Sequence, residues 1–221
     1  NVDAPLSEFD DTEDPIALLC QSVRPGKLGI DKSWPSHFTL RLMEARGDVR
    51  CVVGSAPVDD ARMRKDDEEI ALMRESSLKN DKAIVTAMGA VRAGVKESDV
   101  GAAYDNAAAA LGATDTSFPS LICFGANCAE PHHSTDDTPL KAGDSVILDV
   151  GLCWRRYCSD MTRTVFYGAP TDEQKRVFDL VCKANAAGIA AVRPGVPLRD
   201  IDGAARKVIE DAGYGQYFIH R

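Results

Sequence analysis

The sequence lacks the signatures of several large protein classes. No apolar run approaches the roughly 20 residues that a membrane-spanning helix needs, and no signal-peptide pattern opens the chain. Acidic residues outnumber basic ones by 34 to 26, and no basic patch interleaved with aromatic residues occurs. A nucleic-acid partner is therefore not expected. The motifs GxGxxG, GxSxG, HExxH and the Walker phosphate loop are missing as well.

Cysteine is present, but not in a metal-binding pattern. The chain has seven cysteines, an odd number, and no Cys-x-x-Cys pair. Two pairs, Cys123/Cys128 and Cys153/Cys158, have four residues between their members, which is not a zinc-finger spacing. We therefore expect reduced thiols in a cytoplasmic protein.

The chain has 221 residues, 44% of them hydrophobic, and divides into two parts. In residues 1–62 the pattern predicts helix, strand, helix and strand at 14–23, 28–31, 35–46 and 49–53. This α/β alternation is too short for a complete domain and is typical of the end of one. Residues 63–221 form the second part. Because the chain begins without Met and stops within a strand-like stretch at 216–220, we expect it to be cut at both ends.

A repeat with an offset of 101 residues runs through the second part. Residues 91–95, VRAGV, recur as VRPGV at 192–196, and Gly112 matches Gly213. Each copy has a long helix before it (67–92 and 172–192), a shorter helix after it (98–111 and 198–212), and then a strand-like stretch. The shared order predicts an internal duplication whose second copy continues in strands after residue 221.

Two aspartates interrupt strand-like runs within residues 145–167. Asp149 and Asp160 lie in runs that read as buried strands, where an unpaired carboxylate costs several kcal/mol. If Arg155-Arg156 is a two-residue hairpin loop, Asp149 faces Thr162 and Asp160 faces Gly151. The two aspartates then lie on one face about 7–8 Å apart at the backbone, a spacing that suits two shared cations.

The hairpin pattern leaves two interpretations open. In the first, Asp149 and Asp160 bind divalent cations, Gly151 leaves room for an ion, and Thr162 holds Asp149 by a hydrogen bond. Oxygen ligands suit Mn²⁺, Mg²⁺ or Ca²⁺, and Zn²⁺ or Co²⁺ if a histidine joins them. In the second, both aspartates only bond to the backbone of nearby turns.

Histidines supply the remaining candidates. In Pro131-His132-His133, neighbouring side chains on an extended segment point in opposite directions, so one imidazole can enter a site while the other is exposed. His220 lies at the apolar, strand-like end of the chain. Taken alone, each histidine is more often a surface or core residue than a functional one.

Together these residues resemble the metallopeptidase family with the pita-bread fold, M24, which includes methionine aminopeptidase, aminopeptidase P and prolidase. LDVG with Asp149 and SDMTRT with Asp160 look like its first two metal ligands, and GANCAEPHHS looks like its GxNxAxPHH segment. The ending YFIHR looks like the start of FxHxxxH, and RKDDEEIALMRES is similar to the start of the catalytic domain in the prolidase and aminopeptidase P branch.

The resemblance therefore implies an α+β pita-bread fold with an internal pseudo-twofold repeat and an incomplete second half. Residues 1–62 would end a small creatinase-like N-terminal domain, and residues 63–221 would begin the catalytic domain.

The resemblance also implies a function for the complete protein. It is metal-dependent hydrolysis of the peptide bond before proline, as an Xaa-Pro dipeptidase or aminopeptidase. Two divalent cations, Mn²⁺ first and Co²⁺ or Zn²⁺ next, would bind Asp149 and Asp160, with His132 and His220 as catalytic residues. The third ligand residue would stand at position 224, so we expect little metal binding and no turnover from these 221 residues alone. Relatives are often homodimers.

Two rival functions remain beside the peptidase. One is a non-catalytic module that binds peptides or proteins on the same fold. The other is the metal-free hydrolysis of creatinase relatives, against which the two aspartates argue. The residues after Arg221 discriminate an enzyme from a binding module, because an enzyme needs a histidine and two glutamates there.

Overall fold

The computed structural model describes residues 7–219. The chain divides between Asp66 and Asp67 into two compact units. Within the described residues, no helix combines the length and apolar character needed to cross a bilayer.

The first unit is a small α/β arrangement. Its helices and strands are α1 (Pro15–Ser22), β1 (Gly26–Ile30), α2 (Ser36–Ala45), β2 (Val49–Val53) and α3 (Ala56–Met63). The side chain of Asp14 accepts a hydrogen bond from the Ile16 amide and caps α1, whose first residue is a proline. Strands β1 and β2 pair in parallel, as the predicted strand-helix-strand order requires. Helix α3 was not predicted.

Within its described residues, 67–219, the second unit combines four long helices with two small sheets. The helices are α4 (Asp67–Gly89), α5 (Glu97–Ala110), α6 (Asp172–Ala191) and α7 (Leu198–Asp211). The strands are β3 (Asp115–Thr116), β4 (Leu121–Phe124), β5 (Ser145–Val150), β6 (Leu152–Trp154), β7 (Tyr157–Cys158) and β8 (Met161–Phe166). Short 3₁₀ helices cover Gly125–Ala129 and Gly215–Tyr217. A capping box begins α6, since Thr171 and Gln174 bond each other reciprocally.

One face of the sheet β4-β5-β8 packs on helices α4 and α5. Both strand pairs in this sheet are antiparallel. Residues of β5 alternate between buried and half-buried, and Val146, Leu148 and Val150 are fully buried. They join Ile84 and Tyr104 from the two helices in one apolar core. The odd-numbered residues of β5 therefore face away from this core.

The two copies of the repeat share their backbone conformation. Gly94 and Gly195 have φ angles of 70° and 84°, and Gly112 and Gly213 have φ angles of 85° and 84°. At Gly112 and Gly213 the left-handed values directly follow the end of a helix, and at Gly94 and Gly195 they lie in the turn between two helices, which glycine permits at low energetic cost. In both copies the helix before the repeat and the helix after it pack against each other, α4 on α5 and α6 on α7.

The end of the described chain departs from the prediction. Residues 216–219 do not form a strand, because Gly215–Tyr217 is a 3₁₀ helix and the next residues have no regular structure. The apolar composition of this stretch does not by itself supply a partner strand, and a strand needs one.

Candidate functional site: the aspartate pair and the loop that carries His132

The predicted register of the hairpin is confirmed. Strands β5 and β8 pair Asp149 with Thr162, and Thr162 Oγ1 donates a hydrogen bond of 2.8 Å to Asp149 Oδ1. Arg155 and Arg156 form the two-residue turn, with φ angles of 48° and 74°. Positive φ at both central positions is the geometry of a type I′ hairpin turn.

The expectation that both aspartates are buried is wrong. Asp149 is half-buried and Asp160 is exposed. The alternation of β5 directs its even-numbered residues into the core and leaves Asp149 on the outward face. The run 145–150 is apolar because one face is fully covered and the other is partly covered.

Asp160 lies close enough to Asp149 to be affected by its charge. Although Asp160 is exposed, nearby protein removes part of the water around its carboxylate, and this loss, followed by the negative charge of Asp149, raises the pKa of Asp160 above its ordinary value. Within residues 7–219, no hydrogen bond or ion pair neutralises the Asp160 carboxylate, whereas Thr162 holds one oxygen of Asp149. A pair of carboxylates with free oxygens on one side of a hairpin is a donor set that suits a hard divalent cation.

Gly151 serves a different purpose from the predicted one. A Cβ atom at this position would lie 2.2 Å from the carbonyl oxygen of Ser159 and 3.0 Å from the Phe118 ring. The missing side chain therefore admits protein backbone and an aromatic ring, and does not leave space for an ion. Gly151 lies between β5 and β6, and the Ser117 amide donates a hydrogen bond to its carbonyl.

A buried polar contact from α4 holds the backbone on both sides of Gly151. Asn80 Nδ2 donates to the Val150 carbonyl at 3.2 Å, and Ser76 Oγ donates to the Leu152 carbonyl at 3.2 Å. The Tyr104 hydroxyl donates to Asn80 Oδ1 at 2.7 Å. Because these side chains are all fully buried, each contact fixes a backbone group that water cannot reach. The contact therefore orients the segment that directly follows Asp149.

The expectation of reduced thiols is wrong at the hairpin. Cys153 and Cys158 are directly opposed in strands β6 and β7 and form a disulfide, with their Cα atoms 4.2 Å apart. We call it the hairpin disulfide. Cys153 and Cys158 pair in the same register as Asp149 and Thr162. The predicted hairpin register therefore already places the two cysteines opposite each other. The other five cysteines are free.

A second cluster lies at the first residue of α5. Ligand atoms of Glu97, His133 and Asp136 lie within 4.8 Å of one another, a spacing that could hold a metal ion. Glu97 is fully buried, and its carboxylate already accepts hydrogen bonds from His133 Nε2 at 2.9 Å and from the Asp136 amide at 3.2 Å. The hydrogen bond to Glu97 raises the pKa of His133. Sequence reasoning missed Glu97, because a glutamate in the first helical turn is usually explained by the helix dipole alone.

The structure separates the two adjacent histidines. The side chain of His133 is 10% exposed and contacts Glu97, while His132 is exposed. Both lie in the loop that follows the 3₁₀ helix Gly125–Ala129. The two imidazoles differ in exposure, as predicted, although residues 131–132 form a turn and not a strand. His220 lies outside the described residues.

A largely apolar cavity of about 780 Å³ lies between the outward face of the sheet and α6. Its lining includes Ile147, Thr162, Phe166, Val177, Phe178 and Val181. Since Thr162 is the hydrogen-bond partner of Asp149, this cavity begins beside the aspartate pair.

Residues 71–221 match metallopeptidase family M24. Among curated proteins, the chain is 33% identical over 220 residues to an uncharacterized peptidase of Staphylococcus aureus (strain USA300), covering 96% of this chain and 60% of that protein. The chain therefore spans about 60% of the length of this curated relative.

Solved structures with the same fold include two peptidases. A prolidase from Thermococcus sibiricus is 30% identical with a TM-score of 0.94, covering 100% of this chain and 62% of that one. An X-Pro aminopeptidase from Thermotoga maritima is 26% identical with a TM-score of 0.79, covering 94% of this chain and 60% of that one.

Proposed function

Because the chain belongs to metallopeptidase family M24, we propose that Asp149 and Asp160 provide two ligands of a two-cation centre in a peptidase that cleaves the bond before proline. The observation that carries this proposal is the hairpin register. It sets Asp149 against Thr162 and brings the carboxylate of Asp160, which has no partner among residues 7–219, to the same side.

The fold that this family implies is confirmed. The pita-bread architecture, predicted from LDVG, SDMTRT and the internal repeat, agrees with the prolidase likeness over the full chain. The repeat also explains why the helices and turns of the second unit occur twice with the same glycine conformations.

The donor chemistry of the pair fits divalent cations. Asp149 and Asp160 would hold such cations, and the cations would supply Lewis acidity that lowers the pKa of a bound water towards neutral pH. Thr162 fixes Asp149 through Oδ1, and the buried contact of Asn80 with the Val150 carbonyl fixes the next peptide. The protein itself holds the carboxylate oxygens of Asp149 and Asp160 in position. Mn²⁺ is our first candidate for the metal, and Co²⁺ and Zn²⁺ follow.

Two histidines act on the substrate in this proposal. His132 and His220 donate hydrogen bonds to the carbonyl oxygen as negative charge develops on it, or orient the substrate. His132 is exposed and therefore accessible to a peptide. The substrate is a peptide with proline at the second position, which is proposed from the printed names of the relatives. A cytoplasmic location and a homodimer remain predictions.

Hydrolysis of Xaa-Pro peptides by the full-length protein with added Mn²⁺ tests the proposal. Asp149→Ala and Asp160→Ala should each lower kcat by more than about 100-fold, since each removes a metal ligand. Asp81→Ala changes an exposed aspartate on α4 and serves as the matched control. Unchanged turnover in both ligand variants would contradict the assignment.

Two further measurements refine the proposal. Comparing an Xaa-Pro dipeptide with longer Xaa-Pro peptides separates a dipeptidase from an aminopeptidase. Calorimetry with Mn²⁺ on the 221-residue chain should show weak or no binding, because Asp149 and Asp160 are only part of the expected ligand set. Tight binding of two Mn²⁺ ions by this chain would show that it needs no further ligands. Peptide binding without turnover in the full-length protein, unaffected by Asp149→Ala, would favour a binding module.

A further inference from the structure

Glu97 is the centre of a buried hydrogen-bond network. Its Oε1 accepts from the Phe124 amide at 2.7 Å and from Asn127 Nδ2 at 2.9 Å. Its Oε2 accepts from His133 Nε2 at 2.9 Å and from the Asp136 amide at 3.2 Å. The side chain is fully buried, so these four donors replace all the water that an exposed carboxylate would bind.

All four donors belong to one segment, residues 124–138, which wraps around the first turn of α5. The segment also accepts from that turn, since the Glu97 amide donates to the Thr138 carbonyl and the Ser98 amide to the Asp136 carbonyl. The wrap therefore satisfies the free amides of a helix N-terminus as well as the buried carboxylate.

A second anchor attaches the same segment to the sheet. Thr135 Oγ1 accepts from the Ile122 amide and donates to the Ser120 carbonyl, both at 2.8 Å. Strand β4 pairs on its other edge with β5, and Leu121 faces Asp149 there. The segment is therefore fixed on both sides of His132, by Asn127 before it and by His133 and Thr135 after it.

We propose that Glu97 and His133 are positioning residues, which fix residues 124–138 so that His132 is presented to the substrate. The inward imidazole of His133 contacts Glu97, and its neighbour His132 is left exposed. The His133 amide also donates to the Glu130 carbonyl at 3.1 Å and closes the turn that contains His132, so anchoring His133 restricts the position of His132. This proposal rests on the function proposed above, in which His132 contacts the substrate.

The geometry favours a positioning role over a second metal centre at this cluster. Both oxygens of Glu97 already accept two N–H donors each, and two of those donors are backbone amides. A cation would have to displace them from a fully buried site. Addition of Mn²⁺ or Zn²⁺ to Asp149→Ala, Asp160→Ala protein should therefore leave the thermal midpoint unchanged. A metal-dependent rise that Glu97→Gln abolishes would overturn the positioning role in favour of a metal site.

Hydrogen exchange tests the anchor without any need for activity. In Glu97→Gln an amide group faces N–H donors, so exchange of the Phe124 and Asp136 amides should accelerate at least about 10-fold. Exchange in α6 and α7 should not change. Glu68→Gln, at an exposed glutamate in the first turn of α4, is the matched control. Equal protection of both amides in Glu97→Gln and in wild type would overturn the proposal.

Kinetics of the full-length protein test whether the anchor acts through His132. His133→Ala should lower kcat/KM for an Xaa-Pro peptide at least about 10-fold, and His133→Gln, which keeps an N–H donor, should recover part of the loss. In a His132→Ala background, His133→Ala should change kcat/KM less than about 3-fold. His37→Ala, at an exposed histidine of the first unit, is the control.

The outcomes separate the two proposals. If Asp149→Ala retains hydrolysis, the proposed function fails, and the exchange experiment still decides the anchor. If Asp149→Ala abolishes hydrolysis but the losses from His132→Ala and His133→Ala multiply fully, the proposed function stands and the positioning role is wrong. Should His133→Ala not fold, His133→Gln and Glu97→Gln provide the same comparison.

Discussion

Removal of the Tyr104 hydroxyl tests the buried contact between α4 and the hairpin. Tyr104 is fully buried, its hydroxyl lies 2.7 Å from Asn80 Oδ1, and burial raises its pKa well above the usual range. Tyr104→Phe leaves Asn80 Oδ1 without a donor in a site that excludes water. A buried acceptor left unpaired costs about 1–3 kcal/mol of unfolding free energy.

The expected loss is large enough to measure in the second unit. For a domain of this size, each kcal/mol lowers the melting temperature by roughly 2–4 °C. The chain has two tryptophans, Trp34 in the first unit and Trp154 in the hairpin. A Trp34→Phe background therefore gives a fluorescence signal that reports on the second unit alone during urea unfolding. Tyr217→Phe, at a tyrosine 71% exposed, is the control and should change stability by less than about 0.5 kcal/mol.

A double variant measures the coupling between Tyr104 and Asn80 directly. Asn80→Ala leaves the Tyr104 hydroxyl without its acceptor and removes a buried donor from the Val150 carbonyl, so it should cost more than Tyr104→Phe. The combined variant removes both members of one hydrogen bond, and its loss should fall short of the sum by about 1 kcal/mol. Full additivity, or a Tyr104→Phe protein as stable as wild type, would refute the claim that this hydrogen bond holds the hairpin.

Three further predictions concern the same unit. The hydrogen bond to Glu97 raises the pKa of His133 above 6.5. The stability that protonated His133 contributes is therefore complete below that pH and is lost as the pH rises through the raised pKa. The difference in urea midpoint between wild type and His133→Gln should accordingly shrink between pH 6 and 9. Gly151→Ala should cost about 1–3 kcal/mol in urea unfolding, because its Cβ meets the Ser159 carbonyl, whereas Gly203→Ala, in open space on α7, should not destabilise. Alkylation in denaturant without reductant should modify five of the seven cysteines, and reduction of the hairpin disulfide should cost about 2 kcal/mol. Modification of all seven would contradict the bond.

Local signals predicted much of the second unit. The two-residue turn at Arg155-Arg156 fixed the register of Asp149 and Thr162, because hairpin pairing follows from loop length alone. The bounds of α6 and α7 were predicted within a residue, and a capping box marks the start of α6 while the left-handed Gly213 marks the end of α7. These features depend on a few neighbouring residues and need no knowledge of the rest of the fold.

Features that depend on distant residues were not predictable in this way. Glu97 meets donors at Phe124 and Asp136, 27 and 39 residues away, and nothing near Glu97 in the sequence indicates them. The exposure of Asp160 likewise depends on which face of the sheet the helices cover. The bond between Cys153 and Cys158 was missed for another reason. The hairpin register places the two cysteines opposite each other, but composition and spacing alone favour reduced thiols.

The two arginines in the hairpin turn make this turn less stable than it could be. Arg155 and Arg156 both hold the left-handed backbone region, where a residue with a Cβ atom is roughly 1 kcal/mol less stable than glycine. An Asn-Gly pair fits the same geometry without that strain. A chain optimised only for thermal resistance would therefore replace both arginines, and the exchange would leave the pairing of the neighbouring strands intact. This offers a simple way to make the unit more robust for experiments while every acidic group stays in place.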